Sequence, residues 1–90
     1  MIDVDFAPLL ESKVTQGEFA KLLKVSRVTV SGWINGKMGV HAMRKPRIVR
    51  LLGVLAKATQ DGKLPLRDIP RDKRFDAIKK VVVSYLRSAD

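Results

Sequence analysis

The sequence predicts an all-α protein of four core helices with an additional C-terminal helix, and three observations lead there. Apolar residues recur at helical spacing in successive segments: Phe19, Ala20 and Leu23, then Val30, Trp33 and Ile34, then Ile48, Leu51, Leu52, Leu55 and Ala58. Capping residues stand immediately ahead of such segments, Thr15 and Ser26 among them. Helix-ending pairs follow them, Asn35-Gly36 and Asp61-Gly62, of the kind that places a left-handed residue at a helix C-terminus.

Residues 3–13 read as the first helix. Asp3 and Asp5 are alternative caps, and Pro8 is tolerated only in a first turn, where its missing N–H needs no partner. Phe6, Leu9 and Leu10 form its core face. The second helix covers residues 16–23, with Thr15 and Glu18 at the spacing of a capping box. The third covers residues 27–34 behind Ser26. A connection longer than a minimal helix link then leads to Pro46, which restarts the chain as a fourth helix. His41, the single histidine, falls in that connection as a loop residue.

Residues 63–70 hold two prolines and no helical period, and so form a linker from which Leu64, Leu66 and Ile69 can pack back. In the segment from Arg71 onward, Phe75, Ile78, Val82 and Tyr85 make one stripe, with Val81 and Leu86 beside it. The run Val81-Val82-Val83 favours a strand by propensity, but the helical spacing sustained around it prevails. So wide an apolar face on so small a chain either packs on its own domain or is covered by a symmetric partner, and the partner is the expected cover. Phe75, Ile78, Val82, Tyr85 and Leu86 are therefore the expected dimer seam. The organisation expected is a domain over residues 1–62, a linker over 63–70 and a dimerisation helix over 71–90.

Ninety residues limit the chain to one small domain. Hydrophobic residues, 46% of the total, suffice for a helical core but not for a deep enclosed active site. The absence of cysteine excludes a disulfide framework and a thiolate metal site, and agrees with a reducing cytoplasm. The N-terminal MIDVDF carries two acids and does not read as a signal peptide. No apolar run approaches the roughly 18 residues of a membrane span.

The net charge is +9, and its placement says more than its size. From Phe19 to Gln60 there is no Asp or Glu, yet Lys21, Lys24, Arg27, Lys37, Arg44, Lys45, Arg47, Arg50 and Lys57 all lie there. The remaining nine basic residues are matched by all nine acids. An ordinary solvated surface mixes both signs; a one-signed stretch of this length implies a polyanion-binding face. Enzymatic chemistry is disfavoured. There is no cysteine nucleophile, one histidine, no Gly-rich phosphate loop, and no carboxylate pair near the basic stretch to hold a metal. No cofactor, metal, membrane or small-molecule ligand is expected.

Residues 15–37, TQGEFAKLLKVSRVTVSGWINGK, resemble the lambda-repressor-like helix-turn-helix family of phage repressors and Cro proteins. Gln16 matches the opening of the family's second helix, and Ala20 its packing position, where two closely crossing helices leave room for little more than a methyl group. Val25-Ser26 leads into the recognition helix, Val30 and Trp33 match its buried positions, and Asn35-Gly36-Lys37 its exit. By motif the likeness covers about a quarter of the chain, and by helix layout residues 4–58. Two positions depart from the pattern. Lys24 stands where the turn often has glycine, so a non-glycine residue has to accept positive φ. Ile34 replaces the acidic residue usual after the aromatic, so a family salt bridge is expected to be missing.

The resemblance implies that the second motif helix enters the major groove N-terminal end first, while the preceding helix crosses the phosphate backbone. Arg27, Val28, Thr29 and Gly32 would then face base edges. Arg27 can donate two bonds to guanine and Val28 can pack on a thymine methyl, while Gly32 would permit close approach. Thr15 and Gln16 would hold a phosphate at a helix N-terminus. Ser26, Ser31, Asn35, Lys37, Arg44, Lys45 and Arg47 would supply further backbone contacts, which set register rather than sequence preference. The implied function is that of a dimeric transcriptional regulator on double-stranded DNA, cytoplasmic and nucleoid-associated. A protein-interaction module, such as an antitoxin or the binder of a regulatory partner, is the rival reading. RNA binding is a third, weakened by the lack of an exposed aromatic platform.

Overall fold

The computed structural model describes residues 4–88, and every regular element among them is helical. Helix α1 spans Ala7–Glu11, α2 Gln16–Leu23, α3 Arg27–Ile34, α4 Lys45–Gln60 and α5 Arg74–Ser88, the last entered through a 3₁₀ turn at Arg71–Lys73. The strand alternative for residues 81–83 is not adopted.

The first helix is shorter than expected. Asp5 Oδ1 accepts the Ala7 N–H at 2.9 Å, which starts the turn, and Pro8 lies in the first turn as its chemistry requires. Asp3, the other candidate cap, lies outside the described residues. Lys13, at φ 60°, turns the chain away. With so few turns α1 buries Leu9 completely, whereas Leu10, expected in the core, is 69% exposed. Phe6 meets Phe19 edge-on, with centroids 6.5 Å apart.

Helix α2 begins on a complete capping box. Thr15 Oγ1 accepts the Glu18 N–H at 3.1 Å, and Glu18 Oε1 accepts the Thr15 N–H at 2.9 Å. Lys24 ends it in the left-handed conformation, φ 59° and ψ 42°, and so takes up the geometry where glycine is usual. Ser26 Oγ then caps α3 by accepting the Thr29 N–H at 3.1 Å. Gly36, at φ 75°, turns the chain out of α3, while Asn35 stays right-handed. Pro46 sits in the first turn of α4, whose apolar stripe buries Ile48, Leu51, Leu52, Val54, Leu55 and Ala58.

Helix α2 packs on α3, while α1 and α5 both pack on α4. Their apolar faces meet in one core that runs from Val4 to Val82 and includes Phe19, Ala20, Val30 and Trp33. The segment after α4 belongs to it. Lys63 and Leu64 donate their N–H groups to the Ala58 carbonyl, at 2.8 and 3.3 Å, and the Leu64 side chain is buried. Leu66 packs against the core in part, but Ile69 is exposed.

This anchored return corrects the expected dimer seam. Ile78 and Val82 are buried in the chain's own core, at 0% and 4% exposure. Tyr85 and Leu86 pack against the same core, and the Tyr85 hydroxyl donates to Asp61 Oδ2 at 2.6 Å. Phe75 is half-buried, with Lys21 Nζ 5.2 Å from its ring centroid. The physical reason is that residues 61–70 are long enough to fold α5 back onto α4, so the apolar stripe is covered without a partner. No helix among the described residues is long and apolar enough to cross a membrane.

Candidate nucleic-acid interface

The capping chemistry that starts α2 and α3 also decides what their N-termini present. At α2, Thr15 and Glu18 satisfy each other, while the first N–H groups, those of Gln16 and Gly17, find no acceptor among the described residues. Such groups carry the positive end of the helix dipole. At α3, the Ser26 and Thr29 hydroxyls lie 2.8 Å apart and Ser26 Oγ takes the Thr29 N–H, so both are engaged in the cap.

Arg27 and Val28 follow directly and are exposed, Val28 to 77%. Arg27 runs beside the first turn of α2: its Cδ lies 3.9 Å from where a Cβ on Gly17 would stand, and Thr15 Oγ1 is equally close to that point. The structure therefore brings Arg27 beside Thr15 at the start of α2, the turn that Gln16 opens. It also adds Gly17, which the Arg27 stem passes at ordinary contact distance.

Gly32 needs correction. It is buried, and a Cβ added to it would stand 2.7 Å from Met38 Cε and 3.1 Å from Met38 Cγ. The Lys37 and Met38 N–H groups both donate to the Gly32 carbonyl, which folds the connection back over α3. Gly32 permits a close approach, but of Met38 within the chain, not as an open position beside Val28. Sequence spacing placed Gly32 on the Val28 face correctly; it had no means of showing that the following loop covers the spot.

The other backbone-contact residues form a less uniform set. Ser31 Oγ accepts from Asn35 Nδ2 at 3.1 Å, so these two are paired with each other. Lys37 is exposed at the exit of α3. Arg44 and Arg47 are exposed and border one crevice with Val25 and Trp33, beside the turn between α2 and α3. Lys45 is half-buried. His41 Nδ1 accepts the Met43 N–H at 3.2 Å, a contact that shapes the turn into α4. Trp33 is 3% exposed and serves as core rather than as a stacking platform.

A contact between distant segments completes the region. Arg74, the first residue of α5, donates from Nε to Glu18 Oε2 at 3.0 Å and from Nη2 to Glu18 Oε1 at 3.2 Å. The same Nη2 donates to the Lys13 carbonyl at 2.9 Å. Burial pushes the Glu18 carboxyl up, but the Arg74 bond, the Thr15 N–H and the guanidinium charge outweigh it and hold the pKa below the usual carboxylate range. The bond that Arg74 donates to Glu18 correspondingly raises the Arg74 pKa, against the opposing effect of burial. No pattern in the sequence links residues so far apart.

Chemically, the arrangement offers a guanidinium, an apolar side chain and unpaired backbone donors side by side, on a stretch with no carboxylate after Glu18 until Asp61. Such a set can hold anionic oxygens. Comparison with protein-family models, curated proteins and solved structures finds no significant match to this chain.

Proposed function

We propose that the chain binds double-stranded DNA in a sequence-specific manner as a small transcriptional regulator of the lambda-repressor-like helix-turn-helix type, akin to a phage or prophage repressor or Cro protein. The observation that carries this reading is the joint exposure of Arg27 and Val28 at the start of α3, beside the first turn of α2. An exposed valine there gains a partner from a thymine methyl, and the adjacent guanidinium can pair with guanine O6 and N7. Thr15, Gln16, Lys37, Arg44, Lys45 and Arg47 supply phosphate contacts around it, and the excess charge adds salt-dependent affinity. Two copies on a pseudo-palindromic operator would set their α3 helices in successive major-groove faces. Because the α5 stripe is committed to its own core, that pairing uses another surface. The protein would act on nucleoid DNA in the cytoplasm.

One observation favours the rival reading of a protein-interaction module. A groove of about 260 Å³ is lined by Leu22, Leu51, Val82 and Leu86 together with Arg47 and Arg50, which suits an acidic segment with an apolar anchor.

Fluorescence anisotropy with duplexes flanking the protein's own gene, against a shuffled duplex at two salt concentrations, separates the readings. A preference of about a hundredfold or more that persists at the higher salt supports the regulator, since specific binding typically exceeds non-specific binding by about 10³–10⁷. Equal binding that collapses with salt leaves only the basic face. No binding to either duplex puts the interaction module first.

A further inference from the structure

We propose that Arg74 is a DNA-binding determinant, acting as the built-in counter-charge that masks Glu18 beside the phosphate-facing end of α2. The inference rests on the DNA-binding reading above and extends it to a residue of α5.

Glu18 is the one acid inside the motif and the last before Asp61. Its place is dictated locally, because the capping box needs a side-chain acceptor at the third helical position for the Thr15 N–H. A glutamine oxygen meets that need equally well. A carboxylate adds a full negative charge at the positive end of α2, where it competes with a phosphate for the same helix dipole. The geometry removes the conflict. Arg74 grips both carboxylate oxygens with its planar fork and is fixed in turn by the Lys13 carbonyl.

The pair is sheltered, with side-chain exposures of 23% for Arg74 and 13% for Glu18, so its charges are less screened than those of a surface pair. Lys21, one turn further along α2, lies over Phe75 and holds the next residue of α5 against the same helix. Asp72 and Asp76 flank Arg74 in sequence, are exposed, and make no hydrogen bond to it. With Arg74 in place the first turn of α2 presents no net negative charge. Without it, a carboxylate stands uncovered beside the phosphate contacts assigned to Thr15, Gln16 and Arg27.

A charge effect and a purely structural latch differ in sign. A unit charge about 8 Å from a phosphate, at an effective dielectric between about 80 and 20, changes a binding constant roughly twofold to thirtyfold. Arg74→Gln should therefore weaken binding by a factor in that range, because it uncovers Glu18. Glu18→Gln keeps the cap acceptor and leaves the guanidinium uncompensated, so it should leave affinity unchanged or raise it. The double variant should return close to wild type, and Arg74→Lys should recover most of the loss.

The experiment is an anisotropy titration of the four variants and wild type against a random-sequence duplex at about 50 and 200 mM salt. Circular dichroism melts confirm that each protein is folded at the assay temperature. Weakening by Arg74→Gln, with Glu18→Gln unchanged or tighter and recovery in the double variant, supports the inference, whereas a double variant as weak as Arg74→Gln overturns it. Equal weakening by both, or no change in either, overturns it and leaves Arg74 as packing alone. A wild-type protein that holds no duplex at the lower salt overturns the DNA-binding reading itself, and this inference with it.

Discussion

Replacing Ile78 by Val removes one methyl group from the middle of the core, and replacing it by Ala removes the whole side chain beyond Cβ. Ile78 is 0% exposed and sits on the face of α5 that packs against α4. Burial of this kind sets the cost at about 0.5–1.5 kcal/mol for Ile78→Val and about 2–5 kcal/mol for Ile78→Ala, because the transfer term and the residual cavity add. For a domain of this size each kcal/mol lowers Tm by about 4–8 °C. Ile78→Val should then melt about 2–12 °C below wild type. Ile78→Ala should lose a large part of a total stability on the order of 5–15 kcal/mol. The assay is thermal circular dichroism at two protein concentrations well apart, with sedimentation velocity beside it. A residue of the chain's own core gives a Tm loss independent of concentration. If Ile78→Val changed the sedimentation coefficient while leaving Tm within about 1 °C at high dilution, the intrachain packing of α5 would be refuted and the dimer seam reinstated.

Arg27→Ala should weaken binding to a preferred duplex by about 1–3 kcal/mol more than to random DNA. Arg44→Ala should weaken both alike and reduce the salt slope by about 1; anisotropy titrations of both variants on both duplexes check this. For Glu18, whose folded pKa is depressed, the stabilising contribution is present above the unfolded value of about 4.5 and is lost as pH falls through the folded value. Urea titrations from neutral pH downward should show wild type losing its advantage over Glu18→Gln below about pH 4.5. Gly53→Ala, at an exposed position of α4 where an added Cβ meets nothing within 4 Å, should stabilise by about 0.5–1 kcal/mol. An unchanged or lower melting temperature would point to a contact at Gly53 that the isolated chain lacks.

Much of the fold was legible because the forces that set it are local. A capping box joins residues three apart, so Thr15 and Glu18 announce the start of α2 in the sequence alone. The same holds for Ser26 ahead of α3, for Pro46 in the first turn of α4, and for the positive φ that the motif's turn imposes on Lys24. The core stripe of α4 follows from period alone. Of the candidate site, the exposure of Arg27 and Val28 follows from their place at a helix start whose opposite face carries Val30 and Trp33.

What escaped the sequence depends on which surfaces meet. Leu10 obeyed the helical period but lay on a helix too short to turn it inward. Gly32 shared a face with Val28, and only the folded connection set Met38 over it. An apolar stripe such as Phe75, Ile78, Val82 and Tyr85 has the same transfer free energy whether its cover is a second chain or its own. Hydrophobicity fixes that the stripe is buried without saying against what. That choice fell to the return of residues 61–70, anchored by Leu64, which delivers α5 to α4 and Arg74 to Glu18. The motif helices with their caps, the stripe of α4 and the segregation of charge are short-range properties of the chain and so were readable before folding. How α5 is used and which charge stands beside the start of α2 emerge only on folding, because both turn on contacts between residues that no sequence period connects.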